Sequence, residues 1–310
     1  MTLPGAGDPP IDRGGALAAA ISATLYGSSY VATALALRAF TPLGTGALRG
    51  LLGGLLLGTL LLLPAAMAHR PRDLTTGALA RLAVLGALAG PIFVIGMNTA
   101  VALAGATVTA FVAGLYAVLV AALGVPLLGE RLERATVAWL GLALAGTALL
   151  GDLRPAPDLA AGIAVALGAA VAFALFLVLT RRWSQRYRLP GAMVSLVALA
   201  EMGIALGIVM LLRGDAGVAA PLSAEAVAAV AWLAAGPGAL AAILVVIGMR
   251  RLPARRASAF LLLNPPTAAL GGWLLLGERL TATQLAGAGL VLVSIAGASG
   301  LVAARRPRNN

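Results

Sequence analysis

The stretch Leu-Leu-Gly-Glu-Arg-Leu at residues 127–132 is repeated letter for letter at residues 275–280, 148 positions later. The same shift, without a gap, aligns Gly14 with Gly162, Arg38 with Arg186, Pro42 with Pro190, and Gly141 with Gly289. Chance matches rarely hold one register across half a chain. The sequence therefore predicts two tandem copies of one structural unit.

Apolar stretches fill both copies. The chain is 61% hydrophobic and 11% charged, with a mean hydropathy of +0.99, whereas soluble domains are about half apolar and about a quarter charged. A spanning helix needs about 20 mostly apolar residues. Division at charged and Pro-rich breaks predicts ten spans, at 15–37, 43–64, 82–103, 106–128, 134–151, 159–180, 190–212, 225–249, 256–277 and 282–303.

Five spans per copy is an odd number, so the second copy enters the membrane upside down. The predicted fold is an all-α polytopic membrane protein of ten transmembrane helices, arranged as two inverted five-helix repeats. Inverted repeats are typical of alternating-access carriers. The predicted units are a tail 1–14, a first repeat 15–151, a linker 152–158, a second repeat 159–304 and a tail 305–310.

The net charge of +11 follows the predicted topology. All 22 basic residues are Arg, and most lie in the loops and tails of one side. Because basic loops resist translocation, that side and both termini are predicted to be cytoplasmic. No nucleic-acid partner is expected. The loops of the opposite side carry only Arg38, Arg154, Arg213 and Arg279.

Residues able to carry chemistry are sparse. Cys is absent, and the only His, His69, lies in a predicted loop. An intramembrane enzyme needs converging catalytic groups, so no catalytic residue, metal site or cofactor is expected. A primary pump is disfavoured because there is no phosphate-binding loop. A passive channel or facilitator would share the topology, and it is the alternative to a carrier.

Helix-breaking residues recur at nearly matching places. Gly90-Pro91 lies in the third span and Gly236-Pro237-Gly238 in the eighth, with Gly238 aligned to Gly90. Lipid cannot satisfy a broken backbone. Paired interruptions in an inverted-repeat carrier point to its central site.

A second break lies in the ninth span, where Pro265 and Pro266 follow Asn264. The shift places Tyr116 of the fourth span opposite Asn264. Pro leaves a backbone carbonyl free, which either binds solute or permits a bend.

Polar and aromatic residues within the spans are candidates to line a pathway. The alternatives are hydrogen bonding between helices and anchoring at the interface. The candidates are Tyr26, Ser29, Asn98, Tyr116, Trp232 and Asn264.

Two charges, Arg49 and Glu201, lie inside predicted spans. An intramembrane ionisable group is usually functional because its desolvation is costly. Glu201 is a candidate to carry a coupling proton, and Arg49 to hold an anionic group or a helix end. The alternatives are a neutral, hydrogen-bonded Glu201 and an Arg49 that reaches the interface.

The repeated Gly-Glu-Arg-Leu closes one span and precedes the next. Gly129 and Gly277 suit a left-handed helix end. Glu130 and Glu278 are then expected near the start of the following helix, where the helix dipole favours a carboxylate. A gating salt bridge is the alternative.

In order and spacing, the chain's motifs resemble the EamA-type family of the drug/metabolite transporter superfamily. They are Tyr26-Gly27-Ser28-Ser29-Tyr30, Ala47-Leu48-Arg49, the duplicated Gly-Glu-Arg-Leu, Leu252-Pro253-Ala254, Asn264-Pro265-Pro266, and Gln284 with Gly287.

The resemblance implies a central cavity and transport of small metabolites, often export of amino acids across the bacterial inner membrane. A neutral or zwitterionic substrate is expected, with no Lys present to suit sugar phosphates. A lipid- or drug-translocating member of the superfamily is a further alternative. The fourth span departs from the pattern by having Ala117-Val118 where the ninth has prolines. A monomer and a homodimer are both compatible with the sequence.

Overall fold

The computed structural model describes residues 12–62, 75–129, 134–150, 157–187, 189–251, 260 and 263–298. These residues are helical, apart from short connections and one isolated β-bridge. The helical elements are α1 Arg13–Ala36, α2 Pro42–Leu61, α3 Thr76–Ala104, α4 Ala106–Leu128, α5 Arg134–Leu150, α6 Pro157–Tyr187, α7 Gly191–Arg213, α8 Ala224–Arg251, α9 Asn264–Leu276 and α10 Ala282–Ala298.

Six of these elements, α2, α3, α4, α6, α7 and α8, are long and apolar enough to cross a membrane. Shorter apolar helices lie in α5 and α10, at Val137–Leu150 and Ala282–Gly297. The all-helical polytopic class is therefore confirmed for the described residues, and the count of ten spans stays a prediction. Helix α3 begins at Thr76, six residues before the start of the predicted third span.

Helices α2 and α7 hold equivalent places in the two repeats, and they pack antiparallel against each other. Gly50 contacts the backbone of Gly203, and two turns later Gly58 faces Leu196. Contacting residues therefore have lower numbers on α7 as their numbers on α2 increase, so the two helices run in opposite directions. Two equivalent helices that run in opposite directions are what inverted repeats require.

Two other equivalent pairs pack in the same way. In α5 and α10, Gly146 lies against the carbonyl of Gly287, while Ser294 Oγ donates a 2.8 Å hydrogen bond to the carbonyl of Trp139. In α4 and α9, Gly114 approaches Pro265, while Thr107 approaches Gly272. Both pairs are antiparallel.

The other helix contacts also occur as equivalent pairs, in which each helix is replaced by its counterpart in the other repeat. The contact of α3 with α6 has its equivalent in the contact of α8 with α1. The contact of α4 with α6 likewise has its equivalent in the contact of α9 with α1. Helix α2 also contacts α8 as α7 contacts α3. An approximate twofold relationship thus governs the helix contacts.

Both predicted interruptions of the third and eighth spans are π-helical segments. Leu88–Ile92 contains Pro91 in α3, and Ala234–Leu240 contains Pro237 in α8. Pro cannot donate the helical hydrogen bond, and a π-bulge is one way in which a helix absorbs that loss. Each segment packs on the α2–α7 pair. Gly90 lies against the Ala198 carbonyl of α7, and Ala234 lies against Gly53 of α2.

Helix α4 is also interrupted, although it lacks the prolines of α9. Its helical hydrogen bonding breaks at Leu115, directly before Tyr116. Leu263, at the equivalent place, directly precedes the start of α9 at Asn264. The fourth helix is therefore interrupted even though it has Ala117-Val118 where α9 has prolines. Residues before Leu263 in the predicted ninth span lie mostly outside the described part.

The described loops that carry few arginines meet at one end of the bundle, here called the arginine-poor end. The α1–α2 and α7–α8 loops join there through an antiparallel β-bridge between Phe40 and Val218. The bridge is flanked by hydrogen bonds from Thr41 N to Gly217 O, 3.0 Å, and from Ala219 N to Ala39 O, 2.8 Å. Loops of opposite repeats are thus held together by backbone contacts.

Glu278 lies at the same end and caps a helix of the other repeat. Its two carboxylate oxygens accept hydrogen bonds from the backbone N–H groups of Ala106, 2.8 Å, and Thr107, 3.0 Å, at the start of α4. Glu278 was expected near the start of the following helix, α10, but its carboxylate caps the start of α4 instead. The following helix, α10, is capped instead by Thr281 and Gln284, whose side chains bond each other's backbone N–H groups. Glu130 lies outside the described residues.

Candidate functional site

The Arg49 side chain of α2 extends toward α1 and lies near the side chains of Tyr26 and Tyr30. Its Nε is buried and has no hydrogen-bond partner among the described residues. The predicted residues Tyr26 and Arg49 are therefore brought together.

Tyr116 completes this group from α4. It is buried, and its side chain lies near those of Tyr30 and Tyr26. Tyr116 directly follows the interruption at Leu115. We call Arg49, Tyr26, Tyr30 and Tyr116 the arginine–tyrosine cluster.

An aromatic wall adjoins Tyr116. Phe173 of α6 meets Tyr116 edge to face at 5.0 Å between ring centroids. Phe173 also packs on Phe93 at 4.6 Å and on Phe176 at 5.3 Å. Phe93 directly follows the π-helical segment of α3, so the break around Pro91 helps to position it.

Asn264 begins α9 close to the cluster. Its backbone lies against Gly27 of α1, where an added Cβ would approach the Asn264 carbonyl to 2.6 Å. Its side-chain Oδ1 is buried and has no hydrogen-bond partner among the described residues. The neighbouring Pro265 is buried and reaches Gly114 of α4, whereas Pro266 is exposed.

Two candidates are occupied by hydrogen bonds that serve the fold. The buried Asn98 Nδ2 donates to the Pro42 carbonyl at 3.0 Å, joining α3 to the first turn of α2. Ser29 Oγ donates to the Tyr26 carbonyl of its own helix at 2.6 Å. Both side chains therefore form hydrogen bonds within the protein, which was the alternative to lining a pathway.

Trp232 lies apart from the cluster, at the contact between α8 and α1. Its Nε1 donates to Ser28 Oγ at 3.0 Å, and the residue is 47% exposed. It packs over Gly236 of the π-helical segment.

Glu201 is not brought to Arg49. Its carboxylate lies against Gly86 of α3, where an added Cβ would meet Oε2 at 2.7 Å. Arg49 forms no ion pair with it. Glu201 and Gly53 are equivalent positions, and both lie where α2 crosses α7. The two intramembrane charges therefore occupy separate environments.

Sequence reasoning did not place Phe93 and Phe173 at the site, and it did not include Tyr30 among the candidates to line the pathway. The spacing of Tyr26 and Tyr30, one helical turn apart, would have placed both on one face of α1. Nothing in the sequence distinguishes Phe93 or Phe173 from a phenylalanine that faces lipid.

No group of three or more His, Cys, Asp or Glu residues that could hold a metal ion occurs within the described ranges. The polar atoms near the cluster are guanidinium, phenol and amide groups. This set of groups suits hydrogen bonding to a small solute.

Comparison with known proteins agrees with this architecture. The model of the EamA-like transporter family matches residues 13–151 and again 160–300. A solved crystal structure with 24% sequence identity covers 93% of this chain and 96% of its own, with a TM-score of 0.65. At that identity the likeness concerns the fold alone. No curated protein matches the sequence. The two family matches together span most of the chain, so this protein belongs to the EamA-like transporter family and is a multi-pass membrane transporter.

Proposed function

We propose that this transporter is a secondary carrier of small neutral or zwitterionic metabolites, such as amino acids, and that it works by alternating access. The direction proposed is export across the bacterial inner membrane. The observation that supports the proposal most is the antiparallel packing of α2 on α7 beside the arginine–tyrosine cluster. The cluster offers polar groups to a solute, and the symmetric packing offers a way to expose them to either side.

Symmetry of this kind favours alternation between two states. When two repeats of one fold pack as equivalents, each can adopt the conformation of the other, and the site then opens to the opposite side. The β-bridge between Phe40 and Val218 and the Glu278 cap both close the arginine-poor end. In the proposed cycle these contacts separate when the site opens at that end.

The proposed topology has ten spans, with both termini in the cytoplasm and the arginine-poor end outside. Fusions of alkaline phosphatase or green fluorescent protein to the C-terminus test it. The fluorescent fusion should be bright and the phosphatase fusion inactive. The reverse result would contradict the topology.

Counterflow in proteoliposomes tests the carrier proposal. Vesicles are loaded with millimolar unlabelled L-amino acid, and a trace of the same labelled amino acid is added outside, for each amino acid in turn. A carrier exchanges the two and transiently concentrates the label inside, because unlabelled molecules occupy the returning site. A channel or passive facilitator only equilibrates the label, and that result would overturn the proposal. Vesicles without protein are the control, and labelled lipid and a lipophilic cationic dye test the superfamily alternatives.

We also propose that Glu201 carries a coupling proton. An ionisable group at this depth of a spanning helix is costly unless it has a role. Its carboxylate lies against Gly86, two residues before the π-helical segment of α3, and Pro91 in that segment cannot donate a backbone hydrogen bond. Movement of this segment over α7 would change the surroundings of the carboxylate.

A further inference from the structure

The cationic group of Arg49 has no counter-ion among the described residues. The one ion pair described, Arg38 with Glu225, is exposed and lies at the arginine-poor end. Glu201, the other charge that the sequence predicted inside a span, lies against Gly86 of α3 and forms no ion pair with Arg49. Arg49 is half-buried, with its Nε fully buried, and a charge removed from water is unfavourable unless an opposite charge and hydrogen bonds compensate it. The site therefore calls for an anion that the protein itself does not supply there.

Arg49 and the hydroxyl groups around it can all donate hydrogen bonds. A guanidinium has five N–H groups and no acceptor, and each phenol offers one O–H. Tyr26 and Tyr30 lie beside Arg49, and Tyr116 adjoins both. Planar guanidinium binds a carboxylate through two parallel hydrogen bonds, and the hydroxyls can donate to the remaining lone pairs.

The size of the charge selects among anions. A single Arg balances one negative charge, and Lys is absent from the chain. A phosphate monoester carries nearly two charges at neutral pH, and its second charge would be desolvated without a partner. One carboxylate matches the site.

Asn264 supplies the opposite polarity. Its Oδ1 is buried without a partner, and a carbonyl oxygen of this kind accepts hydrogen bonds. A solute that carries a donor, such as an ammonium or a hydroxyl beside its carboxylate, would satisfy this orphan acceptor. The wall formed by Phe173 and Phe93 offers apolar contact to the rest of the solute.

We propose that Arg49, with Tyr26 and Tyr30, binds the carboxylate of a small monoanionic or zwitterionic solute, and that Asn264 Oδ1 accepts a hydrogen bond from its donor group. The assignment rests on the proposed function, because it names what the carrier recognises. It narrows the substrate class from neutral or zwitterionic metabolites to those that bear one carboxylate.

Ligand binding to the purified full-length protein tests the assignment separately from transport. Thermal unfolding is followed in detergent with the twenty L-amino acids, because a ligand that binds the folded state raises its stability. Each amino acid that raises the midpoint is then compared with its amide, which keeps the side chain and ammonium but loses the carboxylate. Inorganic phosphate and glucose 6-phosphate form the dianion arm.

We expect at least one amino acid to bind, and its amide to bind about tenfold or more weakly, since a hydrogen bond to a charged group is lost. In Arg49→Gln this preference for the acid should disappear, and in Arg49→Lys it should be partly kept. Tyr30→Phe should weaken the acid more than the amide. If Arg49→Gln fails to fold, the comparison of acid with amide in the unaltered protein and in Tyr30→Phe still decides.

Three results would overturn the assignment: an amide that binds as well as its acid, a phosphate that binds more tightly than any amino acid, or no binding by any amino acid. Counterflow separates this failure from that of the proposed function. Carrier-type exchange without a preference for the carboxylate would reject the site and keep the carrier. Carboxylate-selective binding without exchange would support the site and reject the carrier.

Discussion

The carboxylate of Glu278 lies 2.8 Å from the backbone nitrogen of Ala106, and the two residues belong to different repeats. One oxygen serves Ala106 and the other serves Thr107. The charge also faces the positive end of the α4 dipole. A motif that looks local in the sequence therefore joins the two halves of the protein.

Glu278→Ala should destabilise the folded protein by about 1 to 2 kcal/mol, because two N–H groups at the start of α4 lose their acceptor. Glu278→Gln should cost less, since one amide oxygen can still accept. Equilibrium unfolding in mixed micelles measures both changes. Glu225→Ala is the matched control, because Glu225 is half exposed at the same end. Equal effects of Glu278→Ala and Glu225→Ala would argue against the cap.

The crossing of α2 and α7 depends on backbone contact at Gly50. An added Cβ there would lie 2.7 Å from Gly203 Cα and 2.8 Å from the Leu199 carbonyl, and backbone atoms cannot move aside cheaply. Gly50→Ala should therefore destabilise the protein by about 1 to 3 kcal/mol, as measured by the unfolding midpoint.

Gly58→Ala is the control on the same helix. Its Cβ would meet only Leu196 Cδ1, at 3.7 Å, an ordinary contact. Both substitutions gain the same helix propensity. If Gly50→Ala is as well tolerated as Gly58→Ala, the described α2–α7 packing is wrong.

The Arg38–Glu225 ion pair should contribute little. Its atoms are 2.7 Å apart, but both side chains are about half exposed, and exposed pairs are worth about 0 to 1 kcal/mol. Glu225→Gln should change the unfolding midpoint only slightly and leave counterflow unaltered. Asp215→Ala is the contrast, since Asp215 accepts hydrogen bonds from Gly217 N and Thr41 Oγ1 in the same loops. If Glu225→Gln lowers the unfolding midpoint more than Asp215→Ala does, the backbone and loop contacts are not what holds this end closed.

Much of the fold could be predicted from the sequence because a repeat is a strong constraint. The ungapped shift assigned equivalent helices, and the interruptions at Pro91 and Pro237 were found from the chemistry of proline. The break at Leu115 could not be foreseen, since no residue there forbids a helix. The partner of Glu278 could not be foreseen either, because the start of α4 is 172 residues away in the chain.

The candidate site was only partly accessible from the sequence. Polar residues in apolar spans are few, so Arg49, Tyr26, Tyr116 and Asn264 could be named in advance. Which of them meet depends on helix rotation, and an apolar helix gives little periodicity from which to read rotation. For that reason Asn98 and Trp232 looked equivalent to Tyr116, although one holds the start of α2 and the other is half exposed.

Proton coupling through Glu201 makes a separate prediction. Glu201→Gln should abolish the stimulation of transport by an imposed pH gradient, while counterflow, which needs no gradient, should persist. Glu225→Gln is the control for loss of an acidic residue outside the membrane. Unchanged gradient dependence in Glu201→Gln would remove the proposed role.

The central claim is that the repeats part at the arginine-poor end during each cycle, and a disulfide tests it most directly. Phe40 and Val218 form a bridge pair whose Cα atoms should be about 4.5 to 5.5 Å apart, within the range that a disulfide spans. The chain has no Cys, so Phe40→Cys with Val218→Cys gives a clean pair, and each single variant is a control. Oxidation should reduce counterflow to the level of empty vesicles, and reduction should restore it. Full cross-linking with undiminished counterflow would contradict the account.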